Sequence, residues 1–311
     1  MCHTAPAAVA ALGTGLSMAY EECRAQLSGQ RWNCSGVGDD TYFGHVMPLA
    51  TREAAFTYAI TAAGATHALS AACARGDLPS CGCTHNRLSS QRRRSSSPTT
   101  SEQFQWGGCG ELAFGGRFAR RFLDARELEA DARSAMNLHN NRVGRKTVKD
   151  LVRRECKCHG VSGSCAVRTC WRALPQFRAV AAALRDKYRR ARLHRAAPPD
   201  SPAAPARAPH PALRRYRQNG VGRPPRKTEL VFLAASPSYC EPDAAAGSLG
   251  THGRHCNRTS TDEDGCEKLC CGRGYSTVRV VKQVQCRCKF HWCCNVTCDT
   301  CLSRTQTHVC E

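Results

Sequence analysis

The sequence predicts an α+β protein, with a helix-rich N-terminal domain carrying disulfide-stapled hairpins and a small cysteine-rich β domain after it. Three observations point there. Apolar residues before position 188 recur at helical spacing; residues 189–228 are rich in proline and arginine and hold no cysteine; and 12 cysteines crowd between Cys240 and Cys310. The boundaries expected are therefore 1–188, a linker at 189–228, and 229–311.

Composition explains why cysteine matters. Only 41% of the 311 residues are hydrophobic and 6% aromatic, while 23 are cysteine. A disulfide stabilises by about 2–4 kcal/mol, largely through the unfolded state, so cross-links stand in for a thin core and place the chain in an oxidising compartment. A zinc ribbon needs two C-x-x-C pairs. Only Cys298 and Cys301 have that spacing, so no metal is expected.

Along the chain, the alanine-rich run from Pro6 to Leu27 reads as a helix. The segment Ala54 to Ala74 contains no Asp, Glu, Lys or Arg. It is built of Ala, Thr, Gly and Ser around Phe56, Tyr58, Ile60 and Leu69, whereas a membrane span needs about 20 predominantly apolar residues; a buried helix is expected. Arg87 to Ser101, with three consecutive arginines followed by Ser, Pro and Thr, reads as a surface loop. Phe114, Phe118 and Phe122 fall on one helical stripe, and a further helix is expected between Leu138 and Val152. Leu174, Phe177, Val180, Leu184 and Tyr188 repeat every three to four residues across charged neighbours, the mark of an amphipathic helix. The prolines of 189–228 exclude a regular helix or inner strand. Beyond them, runs such as Thr277 to Val281 are β-branched.

Two hairpins follow from cysteine spacing. Nesting Cys158 with Cys165 inside Cys156 with Cys170 staples a loop whose apex is His159 to Ser164. Gly160 and Gly163 can take positive φ cheaply, so the loop can hold Ser162 outward as an acceptor for modification. In the C-terminal region, pairing Cys286 with Cys301, Cys288 with Cys298 and Cys293 with Cys294 keeps the sum of paired positions constant to within one, as in the rungs of one antiparallel hairpin. A nucleophile elbow, G-x-S-x-G, fails at its last position here, where Ser164 stands. His159 has no orienting acid in the motif, so no enzyme is expected. N-x-[ST] sequons at Asn33, Asn257 and Asn295 agree with a secreted glycoprotein. The opening Met-Cys-His-Thr lacks a basic n-region and an apolar h-region, so the expectation is a truncated start with its signal peptide missing.

Arg31 to Ser35, Thr51 to Phe56, Met136 to Asn141, Cys156 to Cys165, Cys270 to Tyr275 and Phe290 to Cys294 together resemble the Wnt family over essentially the whole chain. Trp106 to Cys109, Leu174 to Phe177 and Leu184 to Tyr188 look nearest to the subfamily numbered seven. The resemblance implies a secreted morphogen of the extracellular space and matrix that activates Wnt signalling. It implies an O-palmitoleoyl ester on Ser162 and no other cofactor, with the acyl chain and Val161 binding the Frizzled cysteine-rich domain. Phe290, Trp292, Cys293, Cys294 and Val296 would form a second contact at the 286–301 tip. Partners implied are Frizzled receptors, LRP-type co-receptors, and the acyltransferase Porcupine and the carrier Wntless during secretion. The same pattern implies Cys23–Cys34, Cys73–Cys81, Cys83–Cys109, Cys240–Cys271, Cys256–Cys266 and Cys270–Cys310, leaving Cys2 to an upstream partner. Asn295 is expected to stay largely unglycosylated, because a glycan at the tip would hinder docking.

Charge is the last feature. The formal net charge is +20, and Arg185 to Lys227 contain 13 basic and 2 acidic residues. In an extracellular protein this suggests heparan sulfate proteoglycans. Nucleic acid is not expected, since no aromatic-interleaved basic platform or reading helix is present. The rival reading is a heparin-binding matrix or inhibitor protein that leaves Ser162 bare.

Overall fold

The structure is a computed structural model that describes residues 5–35, 47–79, 81, 111–197, 210–215 and 222–311. The chain forms two compact units, one of Met1–Gln26 and Asp39–Ser236, the other of Leu27–Gly38 and Pro237–Glu311. The division thus falls after Ser236 rather than 228, and a short segment around Trp32 belongs to the second unit.

The first unit is built on helices α1 (Pro6–Gln26), α2 (Arg52–Arg75), α3 (Glu111–Leu123) and α4 (Ala132–Asp150). The α2 helix is its axis: Phe56, Ile60 and Leu69 are fully buried. Thr51 caps it by accepting from the Ala54 amide at 3.4 Å, and Gly76 ends it at φ 84°, a conformation that costs glycine little. The small residues that make this segment a poor membrane span let neighbouring helices approach closely. A Cβ on Gly64 would strike the Gly15 carbonyl oxygen of α1, and one on Gly144 of α4 would strike the Ala59 carbonyl. Among the described residues no helix is long and apolar enough to cross a membrane. Phe114, Phe118 and Phe122 of α3 pack against Ala8, Leu12 and Leu69.

The α4 helix begins six residues earlier than expected, because Asp131 caps it by accepting from the Ser134 amide at 2.7 Å. Its polar residues are buried and hydrogen-bonded, so they hid the helix from an apolar count. Asn137 donates to Glu127 at 2.9 Å, and Asn141 and Arg145 both reach Asp124, the latter through two bonds of 2.8 and 2.9 Å.

A hairpin, β1 (Arg153–Cys158) and β2 (Arg168–Ala173), leads to α5 (Phe177–Arg189), whose Phe177, Val180, Leu184 and Tyr188 are buried. Tyr188 donates to the buried carboxylate of Glu53 at 2.8 Å, and Ser236 donates to its other oxygen at 2.6 Å.

The linker departs from expectation. Strands β3 (Arg192–Ala196), β4 (Leu213–Arg215) and β5 (Val231–Phe232) form a sheet of order β4-β3-β5. The prolines that argued against strands lie outside these short stretches. Leu213 and Val231 pack with Met136 of α4. Asn140 of α4 donates to the Val231 carbonyl at 2.9 Å and accepts from its amide at 3.1 Å.

Two histidines lie near where this sheet meets α4, His194 buried and His139 half-buried. His139 contacts the Glu229 carbonyl at 2.8 Å and His194 the Arg192 carbonyl at 2.9 Å. Burial holds both pKa values below the ordinary histidine value, against the raising effect of those carbonyls. Each is therefore neutral in the fold, while the unfolded chain takes up protons near pH 6.5. The stability they confer is complete above that pH and falls as pH drops through the lowered folded values. Thermal unfolding of the first unit should accordingly occur at a lower temperature at pH 5 than at pH 7, and His139→Gln with His194→Gln should reduce the difference, leaving the share of His67 in α2, whose pKa burial also lowers. An unfolding temperature independent of pH would contradict this.

The second unit holds the pair β6 (Pro242–Asp243) and β7 (Ser248–Leu249), then β8 (His255–Cys256), helix α6 (Cys266–Leu269), β9 (Tyr275–His291) and β10 (Asn295–Cys310), with sheet order β8-β10-β9. Its core is small and sulfur-rich: Cys266, Leu269, Cys270 and Cys310. Arg254 ties in the segment before Trp32, donating to the carbonyls of Ser28, Gln30 and Arg31 at 2.9, 2.7 and 2.6 Å.

Candidate functional site

In the first hairpin, Cys156 lies directly opposite Cys170. The structure joins these two, and Cys158 to Cys165. The loop between the rungs is closed by its own backbone, with Gly160 N–H donating to the Ser164 carbonyl at 2.8 Å and Ser164 N–H to the Val161 carbonyl at 3.1 Å. The glycines act differently from expectation. Gly163 has φ 76°, but the other left-handed residue is Ser162 itself, at φ 56° and ψ 28°. Gly160 has an ordinary φ of −66° and is needed for space, since a Cβ there would meet the Ser164 hydroxyl.

That geometry exposes Ser162 at the apex, and its hydroxyl makes no hydrogen bond to a described residue, His159 included. Val161 beside it is 91% exposed. Chemically this is an accessible acceptor without a general base.

The second candidate site is the far end of β9 and β10. The structure joins Cys286 to Cys301 and Cys288 to Cys298. Between these rungs the register shifts after Thr297, and Arg287 takes φ 49°, a bulge that re-aims the tip. Phe290, Trp292 and Val296 are exposed, Trp292 by 93%. Cys293 and Cys294 correct the sequence reading: both are free and exposed, with sulfurs 3.7 Å apart. Both residues take left-handed φ, 70° and 83°, to turn the chain between Trp292 and Asn295. Bridging neighbours would have to close a ring across one near-planar peptide bond, and here the turn leaves the sulfurs unjoined.

Elsewhere the structure joins Cys73 to Cys81, Cys240 to Cys271, Cys256 to Cys266 and Cys270 to Cys310. Cys23 and Cys34 are each disulfide-bonded. Cys2, Cys83, Cys109 and the loop Arg87 to Ser101 lie outside the described residues. Asn257 is exposed, its side-chain oxygen accepting from the Thr259 amide and hydroxyl at 3.1 and 2.9 Å. Asn33 is half-buried and accepts from the Ser35 amide at 3.3 Å. Asn295 opens β10 at the tip.

Sequence reasoning passed over Val167 and Trp171, which are 63% and 41% exposed. Strand alternation from buried Cys170 would have placed Trp171 on the opposite, outward face.

Fold and site together define a disulfide-framed protein that displays apolar residues on two stapled hairpin ends. The wnt family model matches residues 1–311. Protein Wnt-2 of Drosophila melanogaster is 46% identical over 319 residues, covering 100% of this chain and 88% of that protein. A solved structure of human WLS in complex with WNT8A matches with a TM-score of 0.66 and 33% identity, covering 97% of this chain and 93% of that one. The chain belongs to the Wnt family and is a secreted signalling ligand. Proteins of this family carry covalent lipid.

Proposed function

We propose that the ligand acts through a palmitoleate esterified to the Ser162 hydroxyl, which together with Val161 forms the main contact with a Frizzled cysteine-rich domain. The observation that carries this reading is the apex geometry: an exposed, unengaged hydroxyl held left-handed by two disulfides and a glycine on either side. Six small loop residues offer little burial, whereas an acyl chain contributes about 0.8 kcal/mol per buried CH2, on the order of 10 kcal/mol gross. Porcupine would attach the chain, and Wntless would carry the acylated protein, a role supported by the similar Wnt in complex with WLS. LRP-type co-receptors would complete the signalling complex, and heparan sulfate would engage the basic stretch from Arg185 to Lys227. Glycans are proposed at Asn33 and Asn257, with Asn295 left bare. No catalytic role is assigned.

Mass spectrometry of the Cys158 to Cys165 peptide from secreted, active protein tests the reading. The expected result is a palmitoleoyl adduct on Ser162 that alkaline hydroxylamine removes. An unmodified serine in an active preparation overturns it.

The second contact is assigned to Phe290, Trp292, Cys293, Cys294 and Val296. Trp292→Ala removes the largest exposed side chain at this tip and should weaken receptor binding by about 2 kcal/mol, or roughly 30-fold. Biolayer interferometry against the isolated receptor domain measures this; affinity equal to that of the parent protein would remove the tip from the interface.

A further inference from the structure

The first hairpin carries more than its apex uses. Strand register sets Lys157 opposite Thr169 and Glu155 opposite Trp171, and the His159 amide donates to the Val167 carbonyl at 2.7 Å, carrying the pairing outward. Side chains alternate between faces, so Arg153, Glu155, Lys157, Val167, Thr169 and Trp171 share one face, with Glu155 cross-strand from Trp171. The disulfide of Cys156 and Cys170 lies on the other. Val167 and Trp171 are 63% and 41% exposed. Of the five basic side chains in residues 153–173, Arg153 and Lys157 lie on this face with the single acidic one, Glu155, while Arg154, Arg168 and Arg172 lie on the face of the disulfide.

We propose that this face is a membrane-docking surface for anionic phospholipid, with Trp171 and Val167 entering the interface and Arg153 and Lys157 meeting the headgroups. A tryptophan half-exposed beside an apolar residue suits the boundary between headgroups and acyl chains. Lysine and arginine stems can lie along such a boundary while their charges stay at the phosphates. A sulfated polysaccharide matches the charge but offers no apolar layer for Val167 and Trp171. The inference rests on the reading of Ser162 in one respect: a single acyl chain gives only marginal, reversible membrane attachment, and stable retention takes a second signal. The basic, aromatic face of the same hairpin supplies that signal a few residues from the chain's attachment point.

The test uses the full chain with Ser162→Ala, so that no acyl group contributes, in sedimentation with vesicles of phosphatidylcholine alone or mixed with phosphatidylserine. Mapping Cys156–Cys170 and Cys158–Cys165 first establishes that the hairpin is intact. Binding should be at least tenfold tighter to the anionic vesicles. Arg153→Ala with Lys157→Ala should weaken it by about 30-fold, since each basic residue near an anionic surface contributes a comparable share. Trp171→Phe should remove a blue shift in tryptophan emission seen on vesicle addition. Equal binding to neutral and anionic vesicles overturns the proposal. So does a double variant that loses heparin binding but keeps its vesicle binding, which would make the face a glycan site. An unmodified Ser162 in the parent protein would refute the acylation reading alone and leave these vesicle measurements unaffected.

Discussion

Replacing Ser162 by alanine is expected to abolish receptor activation and to lower affinity for the Frizzled domain at least 1,000-fold, leaving the disulfide pattern in place, and to reduce secretion, since the proposed carrier takes the acylated form. The gross gain from burying an acyl chain, on the order of 10 kcal/mol, is reduced by ordering and translational costs, but the remainder still exceeds any contact the loop could make unaided. Backbone strain must be separated from lipid loss. Ser162 sits at φ 56°, where a residue with a Cβ is disfavoured and glycine is not. Ser162→Gly should therefore fold as well as the parent or better and still fail to signal. A transcriptional reporter in receptor-bearing cells, read beside binding to the isolated domain, checks both variants. Retained activation by either would show that protein contacts suffice.

The second large effect lies in the helical core of the first unit. Gly144 of α4 packs so closely on α2 that an added Cβ would overlap the Ala59 carbonyl oxygen and crowd its carbon and Cα at 2.8 and 3.0 Å. The obstacle is backbone, which cannot rotate away, so the helices must separate. Gly144→Ala should cost about 3 kcal/mol, the upper part of the range for overpacked cores, and cut secretion severely. Gly116 of α3 gives the control, because a Cβ there meets nothing within 4 Å, and alanine at that half-buried but open site should be neutral or stabilise by about 0.5–1 kcal/mol. Thermal unfolding of both variants checks the pair. A Gly144→Ala protein that melts with the parent would mean the α2 and α4 crossing is looser than described.

What could be read from the sequence was whatever rests on local periodicity. Leu184 and Tyr188 mark the buried face of α5 because they recur at helical spacing while Asp186 between them faces water, and Cys286 and Cys288 find Cys301 and Cys298 because a hairpin keeps its index sum nearly constant. The start of α4 was not legible, since Ser134, Asn137, Asn140 and Asn141 look like surface residues and are instead buried and hydrogen-bonded. Nor were β3 and β4, short strands that pair with each other while Leu213 packs on Met136 of α4. At the apex, glycine was the obvious candidate for the left-handed position, yet Ser162 takes it, and Gly160 is fixed by the nearness of Ser164. Both are facts of three-dimensional crowding that spacing does not encode.

Asn140 carries a consequence for how the molecule avoids its own kind. Its amide offers Val231 one donor and one acceptor, the pair that a neighbouring strand's peptide group would offer. The outer rim of β5 is thus sealed by a helix impersonating a strand. A rim left bare is a template for another chain to zip onto, and here no such rim is offered at Val231.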